Sequence, residues 1–218
     1  MFALKQLAES LGSKNIDCRQ DGSKLDPALG RASYIFNTTI EGIEQADALV
    51  IVGSNPRKEA AVLNARILKR KRAGNFMTGV IGERADLTYD CVNFGAGPES
   101  IATFVAQAPK DIARPMMIVG AAALARPDGK AVLSALAKAA LDIGAVKDGW
   151  NGFNVLHTAA SRVGGLDIGF VPGEGGLDAI AMTNAGGADL IFNLGADEID
   201  IAPGAFVVYI GTHGDRGA

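Results

Sequence analysis

The chain has 218 residues, a formal net charge of −3 and only two cysteines, Cys18 and Cys91. Its nearly balanced charge argues against a protein that a global electric field draws to nucleic acid or to a membrane surface. Two distant cysteines cannot by themselves build a disulfide framework, an iron–sulfur centre or a thiolate zinc site, and no apolar run reaches the ~18 residues of a membrane-spanning helix.

An amphipathic helix is predicted over residues 2–11, and beyond it lie five short apolar runs that each end in glycine. The runs are "ALVIVG" (48–53), "MTGVIG" (77–82), "MMIVG" (116–120), "LIFNLG" (190–195) and "FVVYIG" (206–211). Because they do not alternate apolar with polar residues, they are typical of parallel strands buried on both faces. The strand-end glycines should then lie along one edge of the layers, three in one lobe and two in the other.

Helical patterns separate several of these strands. Helices are predicted over residues 56–72, 128–143, 153–163 and 176–185. Pro56 suits the first turn of the first of them, and the glycine-rich stretch 164–176 is interpreted as a surface loop. This alternation of strands and helices indicates an α/β fold with a mostly parallel sheet.

A domain boundary near residues 147–151 would leave three strands before it and two after it. The sequence therefore predicts an α/β domain over residues 1–148 and part of a second α/β domain over residues 149–218. Two strands do not make an independent sheet, and no crossover helix is predicted after the last strand. We therefore expect the chain to be a fragment of a longer protein.

The loop Gly53-Ser54-Asn55-Pro56 is the first candidate site. It follows a strand and begins a helix, whose free N–H groups suit a phosphate or an acidic group. The loop matches neither the GxGxxG dinucleotide fingerprint nor a Walker loop. An ordinary strand-to-helix turn with Asn55 as the helix cap is an equal alternative.

Charged and histidine residues offer weaker candidates. Seven basic residues and one acid lie between positions 57 and 72, typical of a solvated helix end, with a docking surface for an acidic partner as the alternative. Without interleaved aromatic residues, nucleic-acid binding is not expected.

His157 is interpreted as a packed histidine on a helix. His213 with Asp215 could form a base and its orienting carboxylate, but no activated nucleophile accompanies them, and a loop held by local hydrogen bonds is favoured.

Several motifs together resemble a known family. Residues 36–67, "FNTTIEGIEQADALVIVGSNPRKEAAVLNARI", resemble the molybdopterin oxidoreductases, in which a strand ending in Gly-Ser/Thr-Asn-Pro helps to bind the guanine dinucleotide of the molybdopterin cofactor. The stretches "RASYIFNTTI", "VIGERADLTYD" and "YIGTHGDRGA" narrow the resemblance. From about Gly30 onward, the chain is similar to the large iron–sulfur subunits of respiratory complex I, the NADH:quinone oxidoreductase.

The resemblance implies a Rossmann-like fold of layered parallel sheets in two lobes, the second incomplete. It implies a structural portion of a subunit that serves electron transport from NADH to quinone, without catalytic residues or a molybdenum cofactor. The alternative is a formate dehydrogenase-like enzyme, and a free-standing nucleotide-binding module is a third possibility. In the enzyme alternative, the guanine dinucleotide would be held by Gly53, Ser54, Asn55, Pro56, Gly195, Asp197, Gly211 and His213. No His-Pro pair follows Pro56, where the chain reads Glu59-Ala60-Ala61, and this departure favours the cofactor-less interpretation.

The family's iron–sulfur clusters are bound by cysteines upstream of the region that resembles this chain. No cofactor and no metal ligand are therefore expected here. The expected partners are other peripheral-arm subunits and the cluster-bearing N-terminal part of the same subunit, with no nucleic acid and no membrane insertion. The resemblance places the subunit peripherally, at the cytoplasmic face of the bacterial inner membrane or the matrix side in mitochondria. As a fragment of an NADH dehydrogenase, the chain is expected to be inactive alone.

Overall fold

The structure is a computed structural model that describes residues 1–97 and 99–212. The chain divides into two compact units. The first, called the sheet unit, comprises Ala28–Ala159, and the second, called the split unit, comprises Met1–Pro27 together with the described residues from Ala160 onward. The boundary expected near residue 148 falls inside the sheet unit.

The helices and strands follow one another along the whole described chain. The α-helices are α1 Phe2–Ser10, α2 Gly42–Gln45, α3 Pro56–Glu59, α4 Ala61–Arg72, α5 Glu99–Gln107, α6 Ala121–Leu124, α7 Gly129–Asp142, α8 Arg162–Asp167 and α9 Ala179–Thr183. The strands are β1 Ala48–Val52, β2 Met77–Ile81, β3 Val92–Asn93, β4 Pro115–Gly120, β5 Val146–Lys147, β6 Trp150–Asn151, β7 Phe153–Leu156, β8 Leu190–Leu194 and β9 Phe206–Ile210. Short 3-10 turns lie at Pro27–Leu29 and Arg31–Ser33.

The sheet unit is built on five parallel strands in the order β3-β2-β1-β4-β7. Val52, at the end of β1, pairs with Ile81 of β2 and with Val119 of β4. Gly53 and Gly82 follow β1 and β2, and Gly120 is the last residue of β4, so the three glycines lie at the same edge of the sheet, as predicted. The α/β fold class inferred from the sequence is confirmed.

The core of the sheet unit forms where α2 and α4 cover one face of the sheet. Ile51 of β1 and Ile118 of β4 pack with Ile43 of α2 and Ile67 of α4, and all four side chains are at most 1% exposed. Burial of these branched apolar side chains on a parallel sheet stabilises it more than local propensity does. It also fixes where the strand-end loops lie.

The motif "RASYIFNTT" acquires a structural role at the sheet edge formed by β7. Phe36 forms an antiparallel bridge with Asn154, and the N–H of Val155 donates to the carbonyl of Ile35. The buried side chain of Asn154 accepts hydrogen bonds from the N–H and the hydroxyl of Thr38 at 3.0 and 3.1 Å. The segment therefore satisfies hydrogen-bonding groups that a bare edge strand would expose.

One helix prediction was wrong, and another helix is interrupted by one residue. Residues 153–163 do not form one helix, because Phe153–Leu156 is strand β7 and Arg162–Asp167 is helix α8. Pairing with β4 and burial of Phe153 and Val155 decide the outcome for a short apolar segment whose pattern fits either structure. The helix predicted over residues 56–72 is interrupted at Ala60, where φ is −150° and ψ is 63°.

The prediction that all five apolar runs are buried on both faces was wrong for the last two. Strands β8 and β9 of the split unit pair in parallel, with Leu190 opposite Phe206 and Leu194 opposite Ile210. Leu190 is 49% exposed and Phe206 is 72% exposed. Their strand-end glycines, Gly195 and Gly211, do share one edge, as expected.

Candidate functional site

The loop after β1 is built around close contacts that only glycine permits. Gly53 has a φ of 58°, and a Cβ at this position would lie 2.6 Å from the Cβ of Ala123. A Cβ at Gly120 would lie 2.5 Å from both the carbonyl oxygen of Gly53 and the Cβ of Ser54. The ends of β1 and β4 therefore pack against each other through backbone, at the point where the strand order reverses.

The helix cap at this loop differs from the one expected. Asn55 occupies the N-cap position of α3, but its side chain makes no capping hydrogen bond. Instead, the carboxylate of Glu59 accepts from the N–H of Asn55 and from the hydroxyl of Ser54, both at 2.8 Å. The Oδ1 atom of Asn55 is buried without a hydrogen-bond partner among the described residues. Glu59, to which the sequence analysis gave no capping role, is therefore the residue that caps this helix.

The exchanged roles of Asn55 and Glu59 give a stability prediction. Glu59→Ala should lower the free energy of unfolding by about 1 kcal/mol, because it removes both hydrogen bonds of the cap. Asn55→Ala should change it by less than about 0.5 kcal/mol, because the side-chain oxygen that it removes has no partner. Urea unfolding of both variants measures the difference. A larger loss for Asn55→Ala than for Glu59→Ala would contradict the assignment.

Above the loop, a cleft of about 890 Å³ opens at the carboxyl ends of the strands, bordered by residues 53–55, 57–59, 81–86, 122, 123 and 126. Two of its guanidinium groups already have carboxylate partners. Arg57 pairs with Asp86, and Arg126 donates to Asp128 at 2.7 and 2.9 Å. A hydrogen bond from the N–H of Thr88, followed by that from Arg57, holds the pKa of Asp86 below its ordinary value. These cations are therefore held by the protein's own carboxylates.

Four of the five basic residues on α4, Arg66, Lys69, Arg70 and Lys71, donate hydrogen bonds to other groups of the protein. Arg66 and Lys69 donate to one oxygen of Glu44 at 2.7 and 2.9 Å, and hydrogen bonds from Lys69 and then Arg66 hold the pKa of Glu44 below its ordinary value. The guanidinium of Arg70 lies 4.8 Å from the ring centre of Phe76. These contacts favour the structural interpretation of the run over a docking surface for an acidic partner.

The other predicted site residues lie in the split unit. Gly195 follows β8 with a φ of 60°, and its N–H donates to the carbonyl of Ile210 at 2.9 Å. The carboxylate of Asp197 accepts from the hydroxyl of Tyr209 at 2.6 Å. Gly211 follows β9, whereas His213 and Asp215 lie outside the described residues. The structure thus brings Gly53, Ser54, Asn55 and Pro56 together in one unit, and Gly195, Asp197 and Gly211 in the other.

His157 lies in a loop rather than on a helix. It follows β7 at the carboxyl end of the sheet, and its Nε2 atom lies 2.5 Å from the carbonyl oxygen of Tyr34. The tautomer that donates from Nε2 makes this contact a hydrogen bond. His157 therefore joins the end of β7 to the segment that covers the sheet edge.

Burial disfavours the thiolate form of both cysteines, because it raises their pKa values. Desolvation, followed by the charge of Asp17, raises the pKa of Cys18 to about 11, and desolvation raises the pKa of Cys91. Residues 1–97 and 99–212 contain no cluster of three or more His, Cys, Asp or Glu side chains that could hold a metal ion. In the same parts of the chain, no helix combines the length and the apolar character needed to cross a bilayer.

Comparison with known proteins adds the family context. The sequence model of the molybdopterin oxidoreductase family matches residues 1–218. An NADH-quinone oxidoreductase subunit of Rickettsia bellii is 40% identical over 226 residues, and the mitochondrial NADH dehydrogenase (ubiquinone) iron-sulfur protein 1 of Solanum tuberosum is 39% identical over 226 residues. The mitochondrial NADH-ubiquinone oxidoreductase 78 kDa subunit of Neurospora crassa is 38% identical over 232 residues. Each match covers 100% of this chain but only 32%, 30% and 30% of the three relatives, so the chain spans about a third of their length.

Proposed function

This chain belongs to the molybdopterin oxidoreductase family over residues 1–218, and we propose that it is the structural, cofactor-less portion of the large peripheral-arm subunit of NADH:quinone oxidoreductase. The names of relatives that are about 40% identical over the whole chain support this proposal. They favour it over the formate dehydrogenase-like alternative. Its role is then structural: the chain packs against neighbouring subunits, and cofactors bound elsewhere carry the electrons.

The carboxylate of Glu59 is the observation that carries the cofactor-less part of the proposal. The N–H of Asn55 and the hydroxyl of Ser54 are hydrogen-bond donors that could meet an anionic group at this loop, and both already donate to Glu59. A phosphate placed there would meet a negative charge instead of free donors. Arg57 is paired with Asp86 as well. The residues present at this loop therefore fit the guanine dinucleotide of the family poorly.

The proposed partners follow from the same assignment. We infer that the chain packs against the cluster-bearing N-terminal part of its own subunit and against other peripheral-arm subunits. Electron transfer requires bound cofactors, and the two thiols of this chain, whose pKa values are raised, are poor ligands for an iron–sulfur cluster. The clusters would therefore be held by these partners. The subunit would lie peripherally, on the cytoplasmic face of the bacterial inner membrane or on the matrix side in mitochondria.

Electron transfer in variants of the loop tests the proposal. Asn55→Ala, introduced into the subunit within the assembled complex, is expected to leave NADH:quinone turnover within about twofold of the wild-type value. Glu59→Ala serves as the matched control, because it should lower stability while leaving turnover per assembled complex unchanged. Loss of turnover in normally assembled Asn55→Ala complex would mean that this loop takes part in the reaction, and the proposal would fail.

A further inference from the structure

An apolar face of the split unit lies open in this structure. Strands β8 and β9 pair in parallel, and residues that pair in register point to the same face. On one face, every side chain is apolar: Leu190, Phe192, Leu194, Phe206, Val208 and Ile210. Five of these six are at least 36% exposed, and Val208 is partly buried. The opposite face differs, since it carries the buried amide of Asn193 and the partly buried Ile191.

The connection between the two strands explains why the face is open. Parallel neighbours need a crossover of about a dozen residues, which is usually a helix that packs on the sheet. Residues 195–205 join β8 to β9 without any helix. The connection between β8 and β9 therefore supplies no helix that could pack on the apolar face of these two strands. A pair of strands by itself is at best marginally stable in water, and it gains stability when a helix packs on its apolar face.

We propose that this face is the docking site for an amphipathic α-helix that belongs to the same polypeptide and lies outside these 218 residues. A helix fits, because helices are what cover parallel sheets, and its apolar residues at every third or fourth position would meet the two rows of side chains. The same polypeptide is the favoured source, because the relatives are about three times as long as this chain. The proposal rests on family membership and does not depend on whether a cofactor is bound.

Photo-crosslinking in the native complex identifies the occupant. Phe206, replaced by p-benzoylphenylalanine in the full-length subunit, should crosslink on irradiation to residues of the same polypeptide beyond these 218, spaced three or four apart. Val207 lies on the opposite face of β9, so the same replacement there should not label that segment. Crosslinks from position 206 to another subunit, or to residues within these 218, would overturn the proposal.

Cysteine accessibility gives an independent measurement in the same complex. Phe206→Cys and Leu190→Cys should react with a maleimide at least about 100-fold more slowly in the native complex than in denaturant, because a packed helix must first open. Two positions are used so that poor assembly of one variant does not decide the result. Native Cys18 and Cys91, followed by mass spectrometry, report whether the subunit is folded. Rapid labelling of either new cysteine in folded complex would show that nothing covers this face.

Discussion

Asp21→Ala is expected to lower the free energy of unfolding by about 3–5 kcal/mol, because it leaves a buried cation unpaired. The side chain of Arg162 is 1% exposed, and its Nη1 atom donates to the carboxylate of Asp21 at 2.6 Å. Its Nε and Nη2 atoms are buried and have no hydrogen-bond partner among the described residues. Asp21 is therefore the main partner that balances the buried positive charge of the Arg162 guanidinium. Urea unfolding of the variant chain measures the loss.

The double variant Asp21→Ala/Arg162→Met is the control for this prediction. Replacing both partners removes the buried charge itself, so much of the stability lost in the single variant should return. A double variant that is no more stable than Asp21→Ala would show that the loss comes from altered packing. A loss below about 1 kcal/mol in the single variant would place the pair among weak surface ion pairs.

The same ion pair gives a dependence on pH. Burial raises the pKa of Asp21, but the hydrogen bond from Arg162 and that from the N–H of Ser23 outweigh it, and the net pKa lies below the ordinary value. A lowered folded-state pKa contributes stability above the unfolded-state pKa, which is about 4. That contribution is lost as the pH falls through the folded-state value. The stability difference between wild type and Asp21→Asn should therefore shrink below about pH 4; a constant difference would contradict the assignment.

Gly120→Ala is expected to be the next most damaging change, with a loss of about 1–3 kcal/mol. The added methyl group would lie 2.5 Å from the carbonyl oxygen of Gly53 and from the Cβ of Ser54. The φ of Gly120 is −85°, so the cause is overpacking and not backbone strain. Because the clash is with backbone, the loop after β1 must move to relieve it.

Gly164→Ala is the matched control, since Gly164 lies within helix α8 and nothing stands within 4 Å of its Cβ position. Alanine is favoured over glycine in helices, so this variant should be neutral or slightly stabilised. Thermal unfolding of both variants makes the comparison. Equal destabilisation at positions 120 and 164 would show that the strand ends are not in contact.

The sequence predicts the five strands that end in glycine better than it predicts the loops or the shorter strands β3 and β7. The five apolar runs all form strands whose ends lie within a residue of the expected positions, because continuous apolar stretches followed by glycine have few other uses in an α/β fold. The pattern of residues 153–161, "FNVLHTAAS", fits a helix equally well, and pairing with β4 together with burial of Phe153 and Val155 makes Phe153–Leu156 a strand. Contacts between segments distant in the sequence carry that information, and periodicity does not contain it.

The candidate site shows the same limit. The position of Gly53 at a strand end could be predicted, whereas the role of Glu59 as the cap could not, because capping was expected from the side chain of Asn55. The carboxylate of a capping box lies three residues after the cap position, whereas Glu59 lies four residues after Asn55, so the capping-box pattern gives no signal for this cap. The exposure of the side chains on β8 and β9 was not predicted. An apolar sequence predicts that a strand is buried, but it does not identify the segment that buries it.

Metal and pterin analysis of the intact subunit, purified within its native complex, tests the central claim most directly. A structural portion in which Glu59 occupies the loop donors should contain neither molybdenum nor tungsten and should release no fluorescent pterin on oxidation. One equivalent of either metal, together with a fluorescent pterin, would contradict the account and would make the formate dehydrogenase-like alternative the better explanation.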